Sequence, residues 1–207
     1  MVNEWLARAL AESRARGFLG PQSVDTQVRH AEGFAQCWES RHSSPPTGFL
    51  DLGSGGGLPG LVLIERWNCR TLLLDSMEKR CEFLREVVAL NGGAARAEVF
   101  HGRAEDAARR PEYLESFDLV TARSFGSPAV TAECAARFLK VGATLVVSEP
   151  PPEKHSERWV SAGLERLGLA LEQIERFDSG YAVIVKTRPT PEEFPRSTGT
   201  PRKKPLF

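Results

Sequence analysis

Two carboxylates and the glycines between them are the residues of this chain best placed to do chemistry. Asp51 sits in FLDLGSGGGLPG, residues 49–60, and glycines follow at 53, 55, 56, 57 and 60. A glycine run directly after a short apolar stretch lets the backbone turn tightly and approach a ligand closely. Asp75 ends the next apolar run, TLLLD. It lies about twenty residues beyond the loop, where a strand-end carboxylate can grip ribose hydroxyls. Strand, glycine loop, helix, strand and acid together compose a nucleoside-binding half-site.

The details point away from a dinucleotide. The dinucleotide fingerprint places glycine at its first, third and sixth positions, and the sixth here is Leu58. Glycine loops that hold a pyrophosphate aim backbone amides at an anion, and Asp51 beside such a loop would repel it. An acid there suits a ligand with an ammonium group. S-adenosylmethionine combines an adenosine, a ribose diol and a cationic amino-acid tail, and it matches the glycines, Asp75 and Asp51 in turn. The bland alternative is a glycine-rich turn in an α/β domain that holds no ligand.

The elements that must position these residues can be read from periodicity. Residues 4–16 place Trp5, Leu6 and Leu10 at helical spacing, and a second helix is expected over 26–39. HSSPPTG at 42–48 is a breaker cluster separating this lead-in from the main sheet. Strands are predicted at 48–52, 70–75, 97–101, 117–123, 142–148, 169–177 and 181–187. Helices are predicted between them at 58–66, 77–91, 127–138 and 154–167. In the helix from 77, Met77, Phe83, Leu84, Val87, Val88 and Leu90 form one broad apolar face. Strands alternating with helices argue for a mostly parallel, doubly wound α/β sheet. Only a short turn at 178–180 joins the last two strands, so they must pair antiparallel. This is the Rossmann-like, seven-stranded class I methyltransferase layout. The expected organisation is a helical lead-in over 1–45, a cofactor-binding domain over 46–188, and a proline-rich tail over 189–207 that is basic at its end. The tail's prolines and glycine argue against a regular element, leaving it disordered or ordered only by docking.

Composition narrows the class. The chain has 207 residues, a formal charge of zero and 41% hydrophobic residues, so any nucleic-acid contact must rest on local patches. Cysteines 37, 69, 81 and 134 form no C-x-x-C pair and read as reduced thiols. The histidines are scattered, and no metal is expected. The first residues lack a signal-peptide pattern, and no apolar run reaches membrane-spanning length, so a cytoplasmic protein is expected.

Two further stretches can carry chemistry. HGRAED, 101–106, follows the third strand, where Ala104 can offer a backbone amide to an adenine and Glu105 can accept from its exocyclic amine. Equally, it is a helix start with acids favourable to the dipole. TARSFG, 121–126, ends the fourth strand and carries Arg123. This cation can bridge a cofactor carboxylate, hold an RNA phosphate or fork onto a guanine O6 edge. A plain salt bridge to Asp51 or Asp118 is the structural alternative. No cysteine lies at a sheet-end loop, as C5 methylation of a pyrimidine requires. No Asn/Asp-Pro-Pro-aromatic loop follows the fourth strand either. Guanine N7 carries a free lone pair and needs only positioning.

DLGSGGGLPG, LLDSMEKRCEFLREV, HGRAE, SFDLVTARSFGS and the closing PRSTGTPRKKPL resemble the bacterial glucose-inhibited division protein B family. Its members are guanine-N7 methyltransferases of 16S ribosomal RNA. VRH at 28–30 is similar to the family's helical lead-in. The resemblance implies that Gly53, Gly55 and Leu58, with Asp51, meet S-adenosylmethionine, that Asp75 takes the ribose, and that Ala104 and Glu105 take the adenine. Arg123 would be the cofactor-contacting and catalytic arginine beside the substrate. It also implies a docked tail, whose Arg196, Arg202, Lys203 and Lys204 would contact 16S rRNA or the small-subunit particle, in a monomer. The chain departs from the family in lacking its asparagine-leucine-threonine-serine stretch, where GFLGP stands, and in Glu149, Gly180 and Tyr181, which would face RNA. A diverged methyltransferase acting on another RNA or a small molecule, or a cofactor-binding ribosome-assembly module, are the competing readings.

Overall fold

A computed structural model describes residues 3–90, 96–151 and 158–207. Asn3 caps α1 (Glu4–Ala15) and Ser23 caps α2 (Val24–Glu39), each side chain accepting from a first-turn amide. Then come β1 (Gly48–Leu52), α3 (Gly60–Trp67), β2 (Arg70–Asp75), α4 (Glu78–Leu90), β3 (Ala97–His101), α5 (Ala104–Ala107) and β4 (Phe117–Ala122). The remainder is α6 (Pro128–Ala136), β5 (Leu139–Glu149), α7 (Ser161–Arg166), β6 (Leu169–Arg176), β7 (Gly180–Lys186) and α8 (Thr200–Lys203).

The seven strands form one sheet in the order β3-β2-β1-β4-β5-β7-β6. β1 to β5 run parallel, and β7 enters antiparallel between β5 and β6. Both faces are covered, as a parallel sheet requires. Phe49, Leu73, Leu119, Val146 and Val183 meet α1 to α4 on one face. Leu50, Leu72, Val120, Leu145 and Ile184 meet α5, α6 and α7 on the other. The lead-in helices therefore share a core with the sheet.

Most expected elements appear within a few residues of their predicted bounds. β4 stops at Ala122, one residue short, which leaves Arg123 just past the strand end. Met77 and Leu90, expected on the apolar face of α4, are 48% and 87% exposed. They lie at the two ends of the helix, and its packed face is Cys81, Phe83, Leu84 and Val87. The helix expected over 154–167 is α7 from Ser161; positions 154–157 lie outside the described residues. The tail does contain a regular element, contrary to expectation. Gly199 in the left-handed region (φ 82°) caps α8, whose Pro201 lies in the first turn, where a missing N–H costs nothing.

Candidate functional site

β1 neighbours both β2 and β4, so strand order reverses beside its carboxyl end, the place where open α/β sheets bind ligands. A cleft of about 350 Å³ opens there, lined by the loops after β1, β2, β3 and β4 and by one residue of the tail.

Asp75 is its organising residue. Its Oδ2 accepts from the Gly55 amide at 2.8 Å, and its Oδ1 accepts from the Met77 amide at 2.8 Å. Its backbone carbonyl takes the Gly102 amide at 3.0 Å. One residue thereby fixes three loops around the cleft. Gly53 anchors the floor by donating to the Leu74 carbonyl at 2.8 Å. It adopts φ +76°, and a Cβ there would lie 2.7 Å from Phe125. Only glycine satisfies both conditions.

Asp51 is placed differently from expectation. It is buried and does not line the cleft. Its Oδ1 accepts from the Thr121 hydroxyl at 2.9 Å, and its Oδ2 accepts from the Gly60 amide at 3.0 Å. Burial pushes its carboxyl up to about 6 against those hydrogen bonds. Asp51 ties the glycine loop to β4 and to the start of α3, so an ammonium does not meet it directly. Leu58 likewise turns its side chain into the core beside α3. Apolar burial decides the direction of a leucine in a loop whose next residues begin a helix.

Ala104 and Glu105 line the cleft from α5. The Glu105 Oε1 accepts from the Gly199 amide at 2.9 Å and from Arg103 at 3.3 Å. Cys134 lines the cleft from α6, and burial raises its thiol far above the neutral range, so it stays protonated there.

Arg123 stands behind the cleft's wall, half-buried. Its Nη2 donates to Gln27 Oε1 at 3.1 Å, and Gln27 in turn donates to the Gly20 and Gln22 carbonyls. Arg123 forms no ion pair with Asp51 or Asp118. Asp118 is held by Lys140 at 2.6 Å and by Thr47. Burial lowers the Arg123 pKa from its ordinary value, partly offset by the Asp51 charge. Gln27 as its holder had no sequence signal, because the pair spans 96 residues.

The tail is docked. Arg196 grips the fully buried Glu133 through both oxygens, at 2.9 and 2.7 Å, and adds its own amide at 2.8 Å. Its guanidinium is therefore turned inward, where RNA contact was expected, because a buried carboxylate demands a cation. Arg202 reaches the cleft itself, while Lys203 and Lys204 are exposed.

The sequence profile of the family described as GidB, rRNA small subunit methyltransferase G, matches residues 22–150. The chain belongs to this family. A ribosomal RNA small subunit methyltransferase G from Symbiobacterium thermophilum is 32% identical over all of this chain and 86% of its own length. One from Clostridium novyi is 34% identical over 76% of this chain and 68% of its own. Among solved structures, the O-methyltransferase TomG from Streptomyces achromogenes, in complex with SAM, superposes with a TM-score of 0.64 at 19% identity. That match covers 91% of this chain and 92% of TomG. A Geobacter sulfurreducens methyltransferase gives 0.66 at 14% identity, covering 90% of each chain. At such identities these two bear on the fold alone.

Within the family, the three departures noted in the sequence separate. Tyr181 is buried against Phe34, its hydroxyl donating to the His30 carbonyl at 2.7 Å, so it does not face RNA. Glu149 is buried as well, accepting from Arg158 at 2.7 Å and from the Trp159 indole at 3.0 Å. Glu149 and Gly180 nonetheless both line a surface depression that they share with Arg176 and Phe177.

Proposed function

We propose that this protein transfers a methyl group from S-adenosylmethionine to N7 of a guanine in 16S ribosomal RNA, acting as a cytoplasmic monomer on the RNA or its small-subunit particle. The coarser statement rests on family membership: the chain is an S-adenosylmethionine-dependent methyltransferase of small-subunit ribosomal RNA. The choice of N7 follows the family resemblance and the free lone pair that guanine N7 offers without deprotonation.

The cofactor fits this donor set. Each Asp75 oxygen keeps a lone pair beyond the amide it accepts, enough for two ribose hydroxyls. Gly53 leaves the floor bare for close approach. Arg80, Arg103 and Arg202 line the same cleft and offer cations to a carboxylate or to an adenine face. Gly53, Gly55, Asp75, Ala104 and Glu105 are accordingly assigned to the cofactor, with Asp51 and Leu58 bracing the loop from behind.

When bound, S-adenosylmethionine supplies a sulfonium methyl. Transfer of that methyl from sulfur to N7 would leave neutral S-adenosylhomocysteine and a cationic purine, with no proton to remove. The protein need only align the two and exclude water. Supporting this reading, the Cys134 thiol beside the cofactor is held protonated by burial and offers no nucleophile. A reaction that needs no deprotonation suits such a cleft. Arg123 is assigned to the substrate side, its charge set by burial to seek an anion or carbonyl oxygen. Incubating the protein with S-adenosylmethionine and small-subunit particles, then digesting the RNA to nucleosides, tests the proposal. 7-Methylguanosine is expected; cofactor binding without any transfer favours an assembly module.

A further inference from the structure

Beyond the cofactor cleft lies a second cleft of about 350 Å³. Ser124 and Phe125 line both, so they form the wall between them. Ser124 adopts φ +55°, a left-handed conformation that a non-glycine residue enters at a cost. Strain is thus held at the partition a methyl group would cross. The start of α6 adds Pro128, and α2, the end of β5 and the segment before α7 add His30, Ser148, Glu149, Pro150 and Trp159.

His30 is the telling residue. Its ring packs against Phe34 and Tyr181 at 5.9 and 5.6 Å between centroids. Its Nε2 is buried with no hydrogen-bond partner among the described residues. Burial and the nearby Arg123 charge lower its pKa to about 4, so the ring is neutral at pH 7. A buried polar atom left unpaired is costly unless a ligand completes it. Glu149 already holds Arg158 and the Trp159 indole in fixed positions, so this side of the cleft is built before anything enters. Past His30 and Glu149 a groove continues to Arg176, Phe177 and Gly180. Phe177 is exposed there, a stacking surface for a neighbouring base.

We propose that the cleft bounded by Ser124, Phe125, His30, Ser148 and Trp159 receives the target purine, turned out of its stack, with the His30 ring turning its buried, unpaired Nε2 to the base edge. A base must leave its stack for an enzyme to reach a ring atom, and pockets for such bases pair apolar faces with a few edge contacts. Phe125, Pro150 and Trp159 supply the faces, and His30 supplies the edge contact. The assignment rests on the methyl-transfer reading above and adds where the substrate sits and which side chain selects it.

Filling the cleft tests this. Ser148→Trp should keep S-adenosylhomocysteine affinity by calorimetry within about twofold, while transfer to small-subunit particles falls about 100-fold, as misplacing a reacting base does. His30→Phe, which keeps the ring packing but has no ring nitrogen, should raise KM for the particle about tenfold, the size of one missing hydrogen bond, with cofactor affinity unchanged. A Ser148→Trp protein that binds cofactor and still methylates at the unaltered rate overturns the assignment. If that variant does not fold, His30→Phe decides, and unchanged KM and kcat overturn it equally. Unaltered protein that binds cofactor but transfers nothing fails the methyltransferase reading itself, and the pocket falls with it.

Discussion

Asp75 shows how much one side chain does here, since its carboxylate and carbonyl hold the loops after β1, β2 and β3 together. Asp75→Ala should cost on the order of 1.5–3 kcal/mol of S-adenosylhomocysteine affinity by calorimetry, the range for hydrogen bonds to a charged group. Arg123 calls for the opposite pattern. It is desolvated and has one neutral partner, so Arg123→Met should leave the melting temperature unchanged or higher while transfer falls sharply. Arg123→Lys should rescue transfer poorly, because a point charge does not reproduce a planar fork. A melting temperature that drops with activity retained per folded molecule would show a structural role instead. His30 gives a pH signature. Its folded pKa of about 4 lies below the unfolded value near 6.5, so between these the unfolded chain binds more protons. Stability from this residue is present above about 6.5 and is lost as pH falls towards 4. His30→Gln should flatten that limb in denaturant titrations. The place of Asp75 at the cleft was legible in the sequence because it is an acid at a strand end after a glycine loop. The bracing role of Asp51 was not, because Thr121, which holds it, is 70 residues away. No local pattern records such a pair.

At the scale of elements, the docked tail carries the next test. Glu133 is fully buried on α6, and Arg196 is its cation. Arg196→Ala orphans that carboxylate and should destabilise the fold by about 3 kcal/mol, the low end for breaking a buried pair, since the guanidinium is 26% exposed. Chemical denaturation measures it. Truncation after Pro195 removes the Gly199 amide from Glu105 and Arg202 from the cleft, so S-adenosylhomocysteine affinity should fall as well as RNA affinity. Unchanged cofactor affinity in a folded truncated protein would separate the tail from the cofactor. The sheet and its flanking helices were legible because period-2 and period-3.6 patterns follow from which face is buried. The tail was not. Its prolines forbid a long helix but permit a single turn begun by Gly199, and what orders it is Glu133, Glu105 and Asp106, side chains on other elements.

Across the whole molecule, a formal charge of zero means that no global field draws RNA in, and affinity must come from local cations. Lys203 and Lys204 are exposed, next in sequence to Arg202 in the cleft, whereas Arg196 is engaged internally. Replacing both lysines by alanine should weaken particle binding and reduce the slope of log affinity against log salt by up to about 2, near 0.9 for each phosphate no longer neutralised. An identical slope would clear them of any role at phosphates. The central claim is transfer to guanine N7, and the most direct measurement is mass spectrometry of nucleosides from small-subunit RNA treated with the protein and methyl-labelled S-adenosylmethionine. Label is expected in 7-methylguanosine, abolished by Asp75→Ala together with Arg123→Met. Label in any other nucleoside, or none in RNA from particles lacking the modification beforehand, would contradict it.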